Sequence, residues 1–212
     1  MNAGNRFFFL AICYIFSVTA FAVNPDEILR KTEKNFLDSR TISAEFELSI
    51  RWQLRDTTEL KKGKLYLKRP EKYRIELGDA LFITDGKTFW RYSARSKQAV
   101  ESNVKDMQND FQPGEWLFTY TDKYKPESLD SASIENEKCY GISLIPRDKA
   151  RFKKLKVWIN EKNSLPLKIE TTDKNDNLAV YSIISIAKDT PLAKSLFTFR
   201  PPKGTEVINM RE

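Results

Sequence analysis

Glu45 and Glu47 are the first residues of this chain that invite chemistry, because two carboxylates held a fixed distance apart can hydrolyse a glycosidic bond. They share the polar side of an alternating stretch, however, where solvated acids are the common finding. Nothing else completes an active site. The chain contains no histidine, which excludes Ser-His-Asp and Cys-His nucleophile pairs and histidine metal sites. Gly-rich phosphate loops and a G-x-S-x-G elbow are missing too. Cys139 opens a strand-like run, 139–145, with no base to activate it, and reads as a small buried hydrophobe. The expectation is a protein that binds without catalysing, with no cofactor and no metal.

Arg69 is the charged residue whose spacing asks for a role. Leu65, Leu67 and Arg69 take every second position while Lys64, Tyr66 and Lys68 take the others, so an extended chain sends Arg69 to the side of the leucines. A guanidinium on an apolar face calls for a partner, a ligand or a switching role. The plainer alternative is a strand-end arginine, next to Pro70, that reaches round to water.

These residues need elements to hold them. Residues 1–22 read as a secretory signal: Arg6 precedes an apolar run over 7–18, and Ala20-Phe21-Ala22 offers a cleavage site before Val23. A lipoprotein-type site at Cys13 is disfavoured by the bulky Ile12, and an uncleaved anchor by the short apolar run. Removing the signal removes Cys13, so no intramolecular disulfide is expected, and residues 23–212 form one domain resting on its core. The net charge of +7 is spread along the chain and suits a solvated surface or an acidic partner; with a secreted destination it argues against nucleic acid.

Asn24-Pro25-Asp26-Glu27 carries a helix start, with a capping side chain, proline at the first position and acids in the first turn. Ile28, Leu29, Thr32, Phe36 and Leu37 follow at helical spacing, predicting an amphipathic helix that ends near 38–40 and covers a sheet. From Ile42 to Leu54 every even position is apolar and the odd ones are mostly polar, which predicts one long strand with one apolar face. A polar connection over 56–62, strands over 63–69 and 73–77, and a hairpin over 81–92 turning at Asp85-Gly86 follow, closed by Val100. The alternation stops between 102 and 129, where Trp116, Leu117 and Phe118 stand in an apolar insert suited to plugging or lidding a sheet. It resumes over 139–145, 152–159, 165–171 and 178–186, and Phe197-Thr198-Phe199 ends the sheet before Pro201-Pro202. Long half-buried antiparallel strands in such number favour a strongly curved sheet or barrel.

LYLKRPEKYRIE, ITDGKTFWRY and FTFRPPKGTEV, in that order, resemble the periplasmic outer-membrane lipoprotein carrier family LolA. The resemblance covers most of the chain after its first twenty or so residues. It implies a mainly β fold with a few α-helices: an incomplete, half-open antiparallel β-barrel covered by a helical lid. It also implies a periplasmic, monomeric carrier whose partners are acylated lipoproteins, an inner-membrane ABC transporter, and an outer-membrane acceptor lipoprotein or the outer membrane itself. Arg69 matches the arginine of the family's K-R-P motif, which locks the lid from inside the cavity. Tyr73 matches an aromatic position at the cavity rim, its hydroxyl being a departure. Phe46, Leu48, Ile50, Trp52, Leu65, Leu67 and Ile75 are the pattern-based candidates to bind acyl chains, joined by Tyr73 and by the lid candidates Trp116, Leu117 and Phe118. A periplasmic lipid- or lipoprotein-sensing regulator of the same fold is the alternative.

Overall fold

Asn24 starts the first element as its sequence suggests. In the computed structural model, which describes residues 23–106, 120–147 and 152–211, its side-chain oxygen accepts the Asp26 amide at 3.0 Å. Helix α1 (Pro25–Asp38) then runs for fourteen residues and buries Ile28, Leu29, Thr32 and Phe36. Leu37 does not join them. Each residue turns the helix by about 100°, which carries Leu37 past the stripe and leaves it 54% exposed. The expected signal over 1–22 lies outside the described residues, as do Trp116, Leu117 and Phe118.

Twelve strands form one open sheet: β1 (Thr41–Trp52), β2 (Thr57–Lys68), β3 (Lys72–Leu77), β4 (Ala80–Thr84), β5 (Thr88–Ser93), β6 (Gln98–Asn103), β7 (Tyr124–Ile134), β8 (Glu137–Pro146), β9 (Lys154–Asn160), β10 (Pro166–Thr172), β11 (Leu178–Lys188) and β12 (Glu206–Asn209). Their order is β12-β6-β5-β4-β3-β2-β1-β11-β10-β9-β8-β7. Strand β1 sits between two antiparallel meanders, pairing with β2 on one side and with β11 on the other. β12 alone is parallel to its neighbour, β6.

Three sequence expectations shift in position. The long strand stops at Trp52, and Leu54 falls in the turn, 93% exposed. The expected polar connection over 56–62 is the first half of β2, because Thr57 to Lys68 pairs with β1 along its whole length. The sheet does not end at Phe197-Thr198-Phe199 either. Lys194–Phe197 is a 3-10 turn whose Phe197 is buried, and the final strand follows the two prolines. The Asp85-Gly86 turn forms as expected. Gly86 takes a φ of +95°, open to glycine but costly to residues with a Cβ, and the Asp85 carboxylate accepts the Lys87 and Thr88 amides, each at 2.9 Å.

Alternation divides the side chains between two faces. One, the inner face, holds the main core together with α1. On the opposite face a smaller group covers β4 and β5: Ile83, Ala99 and Phe197 are buried there, and Phe199 lies 5.4 Å from both Trp90 and Tyr92, centroid to centroid.

Candidate functional site

The inner face is apolar across most strands, but only part of it is sealed. On β8 to β10, Ile142, Leu144, Leu155, Val157, Ile159, Ile169 and Thr171 are each at most 2% exposed. Leu29 of α1 and Tyr120 join this region, both fully buried. From β11 through β4 the same face reads differently. Phe46, Leu48, Leu65, Tyr73 and Ile75 form a buried floor. Around it Ile50, Leu67, Leu77, Phe82, Tyr181 and Ile183 stay half-buried while packing on the core. This floor and rim belong to one apolar cluster that is less completely buried at its edge than on β8 to β10.

The strand register explains the surface. Leu77, Gly63, Phe46 and Ile183 lie in one row across β3, β2, β1 and β11. The Phe46 ring fills the space over Gly63, where a Cβ would come within 2.3 Å of its Cζ atom. It also meets the Tyr181 ring at a tilt, centroids 6.0 Å apart. One end of the surface turns polar: Lys61 and Glu59 stand opposite Leu48 and Ile50 and pair at 3.0 Å.

Of the residues the sequence nominates, Phe46, Leu48, Leu65, Tyr73 and Ile75 come together in the floor, and Ile50, Trp52 and Leu67 are half-buried on the same face. Sequence reading missed Leu77, Phe82, Tyr181 and Ile183. Strand β11 hides its face because a bulge at Ile184 shifts the alternation, leaving Ile184 itself 59% exposed. Phe82 is hidden because β4 is apolar on both faces.

Arg69 sits in the turn after β2. Its Nε donates to the Ser39 carbonyl at 3.0 Å and its Nη2 to the Phe36 carbonyl at 2.9 Å, while the guanidinium carbon lies 4.8 Å from the Phe36 ring centre. A cation on the last carbonyls of a helix satisfies acceptors left without intrahelical donors and complements the helix dipole. Glu33, a residue the sequence did not single out, holds the middle of the helix. Its carboxylate accepts the Tyr120 amide, the Thr121 amide at 2.7 Å and the Thr121 hydroxyl at 2.8 Å. Asn35 donates to the Asn163 carbonyl at 3.1 Å. Helix α1 is therefore fastened by polar contacts as well as by its apolar stripe.

The remaining candidates for chemistry are placed elsewhere. Glu45 and Glu47 face outward, about half exposed, opposite Lys64 and Lys62 at 2.7 and 3.6 Å. Burial raises the Tyr73 and Tyr120 hydroxyls far above the usual phenol range, the Glu33 charge adding to the effect at Tyr120. Burial, followed by the nearby Glu161, likewise raises the Cys139 thiol, which disfavours a thiolate nucleophile. Among the described residues no group of three or more Cys, Asp or Glu side chains is placed to hold a metal ion. Nor is any described helix long and apolar enough to cross a membrane.

Comparison with known proteins adds the following. A family model described as outer membrane lipoprotein carrier protein LolA matches residues 38–200. An uncharacterized protein of Methanocaldococcus jannaschii is 26% identical over 95% of this chain, which spans 58% of that protein's length. The outer-membrane lipoprotein carrier protein of Haemophilus influenzae is 26% identical over 81% of the chain and 82% of its own length. Among solved structures, an uncharacterized conserved protein from Thermus thermophilus covers 87% of this chain and is itself covered over 98%, with a TM-score of 0.57 and 18% identity.

Proposed function

The chain belongs to the LolA family of outer membrane lipoprotein carrier proteins, and from that premise we propose that it shelters lipoprotein acyl chains on its half-buried inner face and carries them between membranes. Residues 1–22 are removed on export and residues 23–212 act as one monomeric domain in the periplasm. An inner-membrane ABC transporter loads it, and an outer-membrane acceptor lipoprotein or the outer membrane itself receives the cargo. The sheet serves as an incomplete barrel and α1 as part of its helical cover. No cofactor and no catalytic group take part.

The observation that carries this reading is the split of one apolar face into a sealed half and a half-buried one. An acyl chain is worth about 0.8 kcal/mol per buried CH₂, on the order of 12 kcal/mol for a long one. A carrier in water has to match most of that without trapping the cargo, and a preformed apolar floor with a half-buried rim does this better than a closed core. Arg69, at the C-terminal end of α1, is suited to hold the cover against the sheet until cargo displaces it, since hydrogen bonds that water can reach exchange readily with it.

The direct test titrates the protein with a triacylated peptide and its non-acylated twin, following tryptophan fluorescence, to which Trp52 on the inner face contributes. Saturable binding of the acylated form alone is expected. Equal responses to both peptides, or none, would overturn the carrier reading.

A further inference from the structure

The β1–β2 hairpin projects from the sheet. Strand β2 pairs with β3 only from Gly63 to Lys68, and the Gly78 amide donates to the Lys62 carbonyl at 3.2 Å where the β3–β4 turn begins. Thr57 to Lys62 therefore have β1 on one side and no strand on the other, an overhang of roughly 20 Å at about 3.3 Å per residue. On the far side β11 accompanies β1 as far as Arg51. The Asn177 side chain accepts the Gln53 amide at 3.1 Å, so the β10–β11 turn braces the base of the tip.

Leu54 stands at that tip, 93% exposed, where a turn ordinarily carries polar residues. A second apolar group lies behind it on the outer face. Leu60, 77% exposed, Ser49 and Val180 form one row across β2, β1 and β11, and Leu178, opposite Arg51, lies one step nearer the tip. The charge around these residues is positive. Their acids are already matched: Asp56 pairs with Arg51 at 3.4 Å, Glu59 with Lys61 at 3.0 Å and Asp176 with Lys153, while hydrogen bonds from Asn175 and Asn177 hold Asp173. Arg55 in the hairpin turn, Lys174 in the β10–β11 turn and Lys154 at the start of β9 are left exposed, without an ion pair to any described residue.

We infer that this hairpin is a membrane-contact element whose partner is the surface of an anionic bilayer: Leu54 dips into the interface while Arg55, Lys154 and Lys174 meet acidic headgroups. Apolar burial and attraction to anionic lipid together set the strength of such contacts. A projecting turn suits the purpose because the body of the sheet stays clear of the bilayer. Contact with a membrane is independent of what the inner face binds, so it goes beyond the carrier reading and adds a place at which the protein meets a membrane.

The experiment mixes the purified protein with sedimentable vesicles of phosphatidylcholine, alone or with about one third phosphatidylglycerol, and measures the fraction carried down. Binding to the anionic vesicles is expected, weakening as salt is added, with little binding to the neutral ones. Leu54→Ser should weaken it roughly tenfold, the scale of one buried leucine, and Arg55→Gln roughly fivefold, the scale of one cation near an acidic surface. Leu37→Ser, in the last turn of α1, and Lys162→Gln, in the β9–β10 turn, are exposed substitutions at the opposite end of the sheet. Both should leave binding intact, which separates a local contact from general stickiness or charge. No binding to the anionic vesicles, or binding that survives Leu54→Ser and Arg55→Gln, would overturn the inference. So would hairpin variants that alter the molecular mass in light scattering and not the vesicle binding, since the occupant would then be a second copy. Vesicle binding without binding of the triacylated peptide upholds this contact and overturns the carrier reading; peptide binding without vesicle binding does the reverse.

Discussion

The sealed half of the inner face, on β8 to β10, and the half-buried one, from β11 to β4, are built from the same materials. Both alternate branched or aromatic side chains with polar ones, and both belong to one continuous sheet. They differ in burial. Ile142, Leu144, Leu155, Val157, Ile159 and Ile169 of the first are each at most 2% exposed, while Ile50, Phe82, Tyr181 and Ile183 at the rim of the second stay half-buried. Composition along a strand therefore sets which face is apolar, and the packing of distant segments sets how completely each part of it is buried.

The comparison is tested most severely by stability. Ile159→Ala, in the sealed half, should cost about 2–5 kcal/mol, since a cavity forms where neighbours cannot relax. Ile183→Ala, on the rim, should cost roughly 1 kcal/mol and weaken acylated-peptide binding instead. Urea unfolding followed with peptide titration checks both, and equal losses of stability would erase the distinction between the halves.

Gly63→Ala should come next, at about 1–3 kcal/mol, because the added methyl displaces the Phe46 ring that floors the half-buried region. The unfolding midpoint should fall, and a paired Phe46→Leu substitution should recover part of the loss. Were the single change neutral, the floor would be softer than its packing implies.

Arg69→Leu removes two hydrogen bonds from the end of α1, a loss of about 1–2 kcal/mol. Amide exchange should quicken in the last turn of the helix while β8 to β10 stay protected, and cargo should still bind but pass poorly to acceptor membranes. Unchanged exchange and transfer would leave Arg69 a solvated strand-end residue.

The smallest effect concerns the β10–β11 turn, where the two halves meet. Burial pushes the Asp173 carboxyl upward, yet hydrogen bonds from the Asn177 side chain and the Asn177 and Asn175 amides outweigh it, so the net shift is downward. A carboxyl lowered in the folded state adds stability above its unfolded pKa, and that part is lost as pH falls through the folded value. Asp173→Asn should flatten the acid side of the stability profile slightly. An unaltered profile would mean the turn contributes nothing at the junction.

Much of this was readable in advance. The Asn24 cap, the even-numbered face of β1 and the Asp85-Gly86 turn follow from local chemistry, and all three stand where the residues put them. Five of the proposed lining residues, Phe46, Leu48, Leu65, Tyr73 and Ile75, do meet on one floor. The first half of β2 escaped notice because Thr57 to Lys62 is polar and takes its strand form from pairing with β1. Strand β7, which begins at Tyr124 and includes Pro126, escaped because its own pattern is weak and its partner β8 defines it.

Residue order alone sets the period of each strand, and hence which side chains share a face, because side-chain direction alternates with every residue of an extended chain. It also rules out histidine chemistry. How far each part of the apolar face is covered is settled only when the chain closes on itself. That cover depends on contacts between distant segments: Glu33 reaching Thr121, Arg69 reaching Phe36, and β11 returning beside β1 with one residue bulged out. Such contacts follow from closing long loops around a common core, and no local pattern encodes where those loops close.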